Sequence, residues 1–176
     1  VAADSSANKL DGVVSTAWAA SPAGQAFAFD GQPAGVVKVQ LPVEKRFEVG
    51  GLSIRAVRVS HLVPTTGFVV EDETGTVAYS SDTAPTDRFW EVVNKVGNLK
   101  AVIVETSFPN ELQDLANVSG HLTPQTLDTE LDKLKHDVPV YLYGAKPRHL
   151  ARIRAQVRAL KRRKLAFLVQ GKTYKF

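Results

Sequence analysis

The sequence predicts an α/β fold, and three observations carry that expectation. From Thr76 onward, short strand-like runs alternate with segments of helical period, which is the pattern of strands covered by helices. The runs Ala101–Val104 and Val138–Tyr143 are almost wholly apolar, as strands buried on both faces are. The polar residues suited to chemistry stand just past predicted strand ends, where α/β layers build their sites.

Residues 1–35 are rich in Ala, Ser and Gly with weak periodicity. They are expected to be an irregular or lid-like segment, with Leu10–Trp18 readable as a short helix or a loop. The remaining domain, 36–176, opens on extended runs at Val36–Leu41 and Arg46–Val49. Gly50-Gly51 is a turn signal, and Leu52–Ser60 a strand. Gly67–Glu71 and Thr76–Ser80 read as two strands joined at Asp72–Gly75. Asp87–Val96 reads as a helix that buries Phe89, Trp90, Val92, Val93 and Val96. A second helix is expected over Thr123–Lys135, with Thr123-Pro124 as its N-cap and first helical residue. The third, Pro147–Arg163, turns Leu150, Ile153, Val157 and Leu160 toward the core at helical spacing. Leu165–Val169 and Thr173–Phe176 read as closing strands.

Composition narrows the chemistry. A chain of 176 residues with 44% hydrophobic and 23% charged content can bury a core and is not expected to be disordered. It has no Cys, so a thiolate metal site, a nucleophilic Cys and a disulfide scaffold are excluded. No signal peptide is visible and no apolar run is long enough to cross a bilayer; the expected location is the cytoplasm. The chain starts at Val1 and contains no Met, so its natural start is expected to be missing, the chain being a processed product or a part of something longer. Eight basic residues and no acidic one lie between Arg148 and Lys164. That stretch suits either a solvated helix face or a surface for phosphate-bearing ligands and nucleic acid.

Four residues stand out as candidates for chemistry. His61 ends the strand Leu52–Ser60; Asp82 follows Thr76–Ser80; Glu105 ends Ala101–Val104; His121 precedes a helix. A His and an Asp at strand ends suit Zn²⁺ or Mn²⁺. A Glu beside a second His suits proton transfer, because the carboxylate orients and polarises the imidazole. Each residue also has an ordinary structural reading: Asp82 as a helix cap, His61 as a hydrogen-bonding strand end, Glu105 as a polar terminus, His121 as packing at a helix start.

Taken in order, these motifs resemble the C-terminal half of the metallo-β-lactamase-fold hydrolases, and most of all their cyclic-nucleotide phosphodiesterases. The His-x-x-Pro-x-x-Gly-aromatic run from His61 to Phe68 resembles the segment carrying the third metal-binding motif, with His61 on the ligand. Asp82, in Ser80-Ser81-Asp82-Thr83, matches the aspartate that bridges two metal ions, although Gly is more usual where Ser81 stands. Glu105-Thr106-Ser107-Phe108 and Gly120-His121-Leu122-Thr123 resemble the Glu/His pair placed near the leaving group, and Gln170–Phe176 the final hairpin.

The resemblance implies half of an αββα sandwich, with Zn²⁺ or Mn²⁺ held in the intact protein by His61 and Asp82 together with upstream residues. Glu105 and His121 would be catalytic. Two departures stand out. The His-x-His-x-Asp-His segment has no counterpart in residues 1–51, which contain no His, and Gly144 occupies the last ligand position in Gly144-Ala145-Lys146-Pro147. This chain alone is therefore expected to bind metal weakly or not at all. Its bare sheet face is expected to need cover from an N-terminal half, a second copy or a partner subunit. The implied activity is hydrolysis of a small phosphodiester; a non-catalytic binding or assembly subunit and an RNA or DNA nuclease are the alternatives.

Overall fold

The computed structural model describes residues 43–176, apart from position 163. The expectations for residues 1–35 and for Val36–Leu41 lie outside the described residues. Among the described residues, seven strands form one sheet in the order β1-β2-β3-β4-β5-β6-β7. They are β1 (Arg46–Val49), β2 (Leu52–Val59), β3 (Thr65–Glu71), β4 (Thr76–Tyr79), β5 (Leu99–Glu105), β6 (Val140–Tyr143) and β7 (Leu165–Phe167). The first four form an antiparallel meander, and β4 through β7 are parallel. Helix α1 (Asp87–Val93) links β4 to β5. Helices α2 (Gln113–Ser119) and α3 (Pro124–Leu131) lie between β5 and β6, and α4 (Leu150–Ala159) lies between β6 and β7.

The register explains where the core sits. Val69 pairs with Ala78, Ala78 with Val102 and Val102 with Val140, so one row of small and branched side chains crosses the sheet on a single face. Against it pack Phe89, Trp90, Val92 and Val93 of α1, Leu127 and Leu131 of α3, and Ile153 and Val157 of α4. Parallel strands added in one direction through crossovers of one hand put α1, α3 and α4 on that face. A Cβ at Gly67 would lie 2.7 Å from the Tyr79 carbonyl and 3.2 Å from the Phe89 ring. Glycine there is what lets Phe89 approach the sheet. The opposite face carries Ile54, Phe68, Val70, Val77, Tyr79, Ile103, Tyr141 and Tyr143, all half-buried.

Several expectations change in detail. Residues 173–176 are not a strand: Tyr174 and Phe176 set their rings 5.2 and 5.6 Å from that of Tyr141, so the tail packs through aromatic faces rather than backbone pairing. The second helix ends at Leu131 instead of Lys135, because the Asn94 amide captures the backbone there. Its Nδ2 donates to the Lys133 carbonyl and its Oδ1 accepts from the Lys135 N–H, both at 2.8 Å. The third helix starts at Leu150, after a 3₁₀ turn at Pro147–His149. Helix α2 has no counterpart in the sequence reading; it buries only Ala116, too little for a periodic signal. Arg152 on α4 is bonded to Glu111, and Arg162 just past its end to Asp128, the arrangement of a solvated surface. Among the described residues, no helix is long and apolar enough to cross a membrane.

One buried carboxylate ties α1 to α3. Glu130 is 2% exposed and accepts from the Trp90 indole N–H at 2.8 Å, the Thr86 N–H at 2.9 Å and Lys133 Nζ at 2.6 Å. The Thr86 N–H lies at the start of α1, where backbone donors have no helical partner. Glu130→Ala strands two buried donors and is expected to cost about 3 kcal/mol, read as a lowered midpoint of urea unfolding followed by Trp90 fluorescence. Glu130→Gln, which keeps an acceptor, is expected to lose less.

Candidate metal centre

Strands β2, β4, β5 and β6 point the same way, because the β2–β3–β4 meander reverses twice and β4 to β6 are parallel. Their C-terminal ends therefore share one edge of the sheet. His61 follows β2, Asp82 follows β4, Glu105 ends β5, and Tyr143-Gly144 ends β6. All four sequence-predicted site residues meet there. One ligand atom each from His61, Asp82 and His121 lie within 4.8 Å of one another.

Glu105 organises the cluster. It is fully buried, and its Oε1 accepts from the backbone N–H of Thr83 and of Leu122, each at 3.3 Å. The same oxygen lies 2.8 Å from Nδ1 of His121. Two backbone donors on that oxygen make it an acceptor, so Nδ1 of His121 is the donor and carries the proton. The ring is thereby fixed with Nε2 as its other nitrogen, the arrangement in which a carboxylate orients an imidazole for a metal or a proton.

His61 is held by backbone contacts. The Ala84 N–H donates to the Ser60 carbonyl at 2.6 Å, which ties the end of β2 to the Asp82 loop. On its other side lies Gly120. A Cβ there would stand 3.1 Å from both Cδ2 of His61 and the Leu62 nitrogen. Gly120 has φ +74°, and it closes α2 with the His121 N–H bonded to the Ala116 carbonyl and the Gly120 N–H to that of Asn117. That is a Schellman ending, which favours Gly in the left-handed conformation. One glycine thus ends a helix, presents His121 and makes room for His61.

The structural alternatives for these residues find little support. Asp82 is exposed, its carboxylate accepts no hydrogen bond among the described residues, and Thr86 rather than Asp82 stands at the N-terminus of α1. Thr123 caps α3 in a reciprocal box with Thr126, followed by Pro124, so His121 is not needed as a cap. Both ring nitrogens of His61 are buried without a hydrogen-bond partner. An orphaned imidazole beside a free carboxylate and a second, oriented imidazole is a donor set that fits a divalent metal ion. Ser81 has φ +53°, a left-handed conformation costly for a side chain, which explains why a glycine would suit that position.

Gly144 gives the centre no donor. It has φ +79°, and a Cβ there would meet nothing closer than Ser107 Oγ at 3.5 Å, so the place is open. Beside it, the Tyr143 hydroxyl is buried without a partner, and burial pushes its pKa up, which keeps it a protonated donor. Sequence reasoning missed Ser80, whose hydroxyl accepts from the Glu105 N–H at 3.2 Å, and also Gly120. Gly next to a His, just past a helix end, is the signal that could have found the second.

The sequence profile of the beta-lactamase superfamily domain matches residues 13–141. A 3′,5′-cyclic-nucleotide phosphodiesterase of Aliivibrio fischeri is 39% identical over 83 residues, covering 40% of this chain and 25% of its own length. The chain thus spans a quarter of that relative. The metallo-beta-lactamase fold protein YhfI of Bacillus subtilis superposes with a TM-score of 0.60 at 14% identity, over 74% of this chain and 52% of its own. Zn²⁺-bound PqqB of Methylobacterium extorquens gives 0.55 at 16%, over 77% and 55%. The short form of human tRNase Z gives 0.52 at 17%, over 69% and 42%. At these identities the structures speak to the fold.

Gly120→Ala is expected to destabilise the chain by about 1–2 kcal/mol through its left-handed backbone and to displace His61. The check is the His61 ring resonances in ¹H–¹⁵N spectra, which should move while those of His149, on the 3₁₀ turn before α4, stay in place.

Proposed function

Because the chain belongs to the beta-lactamase superfamily, whose fold it shares with metallo-beta-lactamase proteins, we propose that it carries part of the active site of a metal-dependent phosphodiester hydrolase, with a cyclic nucleotide or a related small phosphodiester as substrate. The observation that carries the reading is the convergence of His61, Asp82 and His121 around a fully buried Glu105. The cyclic-nucleotide phosphodiesterase relative supports the substrate class.

In this reading His61 and Asp82 hold the metal, Zn²⁺ or Mn²⁺, together with ligands from the portion of the relatives that this chain does not span. A divalent ion there supplies Lewis acidity and a nucleophilic water at neutral pH. Glu105 keeps the Nδ1 side of His121 occupied, so Nε2 faces the departing oxygen and gives it a proton from the doubly protonated ring, whose positive charge the Glu105 carboxylate offsets. Burial of Glu105 keeps water from competing for that bond and fixes the ring before substrate arrives. The half-buried sheet face of Phe68, Tyr79 and Tyr143 takes its cover from the same unspanned portion, or from a second copy.

Gly144 favours a second reading, a non-catalytic subunit that keeps the fold for binding or assembly. The two are separated by metal content and hydrolysis in the full-length protein. His61→Ala and Asp82→Ala are expected to lower both. His121→Ala is expected to lower kcat by about 10²–10⁴ with metal retained, and Glu105→Gln by about 10–100-fold. Hydrolysis that persists unchanged in His61→Ala and Asp82→Ala contradicts the hydrolase reading.

A further inference from the structure

The cluster of His61, Asp82, Glu105 and His121 holds two carboxylates and offers no permanent cation to a phosphodiester. One permanent cation stands at its rim. Nζ of Lys146 lies 5.7 Å from the centroid of the Phe108 ring, and the same ring packs edge-on against His121 with centroids 5.7 Å apart. Lys146 is exposed, and no carboxylate among the described residues lies within salt-bridge range of it. Other described cations, Arg148 and Arg154 among them, also lack an acidic partner in that range; what sets Lys146 apart is its place over the ring that packs on His121.

The backbone under Lys146 is anchored although its side chain is free. The Lys146 N–H donates to the Ser107 carbonyl at 3.2 Å, and Ser107 Oγ donates to the Gly144 carbonyl at 3.3 Å. Pro147 follows and restricts Lys146 to its extended conformation. The loop after β6 is therefore bolted to the loop after β5, which carries Phe108. Gly144 leaves the space between them open.

We propose that Lys146 is an anion-binding residue of this site: it meets a non-bridging phosphoryl oxygen of the substrate, while Phe108 acts as the platform that keeps the ammonium beside His121. The proposal rests on the phosphodiester reading and adds to it the residue that neutralises substrate charge. A lysine suits this work because its ammonium is a compact charge on a flexible stem, and an aromatic face holds it without the neutralisation a carboxylate would bring. Where Gly144 supplies no metal ligand, a protein cation on the same loop supplies positive charge.

The test is a titration of inorganic phosphate into the full-length protein, followed by ³¹P line broadening, in wild type, Lys146→Met, Lys146→Arg and Phe108→Leu. Lys146→Met is expected to weaken binding about tenfold, as loss of one charge-assisted bond does. Lys146→Arg, which keeps the charge on a larger head group, and Phe108→Leu should both fall between wild type and Lys146→Met. Wild-type affinity should drop as salt rises. Equal affinity in wild type and Lys146→Met, or no phosphate binding in wild type, overturns the proposal. Lysine-dependent phosphate binding in a protein that hydrolyses no bis(4-nitrophenyl) phosphate sinks the hydrolase reading and leaves the anion site standing.

Discussion

The site depends on one oxygen atom. Oε1 of Glu105, at the end of β5, accepts from Thr83, Leu122 and His121, and so joins the loop after β4 to the segment before α3 and its imidazole. A fully buried carboxylate is costly without hydrogen bonds; two backbone amides and a ring nitrogen satisfy Oε1, while Oε2 is buried without a partner among the described residues. Those donors come from two segments of the chain, Thr83 from the loop after β4 and His121-Leu122 from the segment before α3. Removing the carboxylate would release the Asp82 loop and His121 together.

The sheet makes that convergence possible. The antiparallel meander brings β2 and β4 out at the same edge, and the parallel run adds β5 and β6 to it. A helix-covered core row from Val69 to Val140 locks the register, so residues just beyond the strand ends are held to a small volume. His61 and Asp82 are 21 positions apart in the chain, yet their ligand atoms fall within 4.8 Å. The edge has polar side chains without protein partners, notably both nitrogens of His61 and the hydroxyl of Tyr143. Buried groups left unpaired in this way cost stability, and at a site they are the groups a ligand satisfies.

Much of this was legible because strand ends and short motifs are local signals. The strands from Arg46 to Phe167 and the residues His61, Asp82, Glu105 and His121 could be marked from periodicity and position. Their meeting could be expected only through resemblance, since strand order is not local. What escaped were features whose cause lies in tertiary contacts. Helix α2 buries a single Ala and shows no stripe. The early end of α3 is set by the Asn94 amide on α1. The alternating aromatics of Thr173–Phe176 look like a strand, yet their rings pack on Tyr141. The double duty of Gly120 shows only once His61 is seen against it. Lys146 read as part of a loop motif; its place over Phe108 needed the two loops together.

The central claim is that Glu105 fixes the His121 ring before any ligand binds. The tautomer of His121 tests it most directly, read from long-range ¹H–¹⁵N correlations in the ligand-free protein at a pH where the ring is neutral. The account predicts a proton on Nδ1, shifted downfield by its short bond to the carboxylate, and a bare Nε2. A proton on Nε2 with a bare Nδ1 would contradict it.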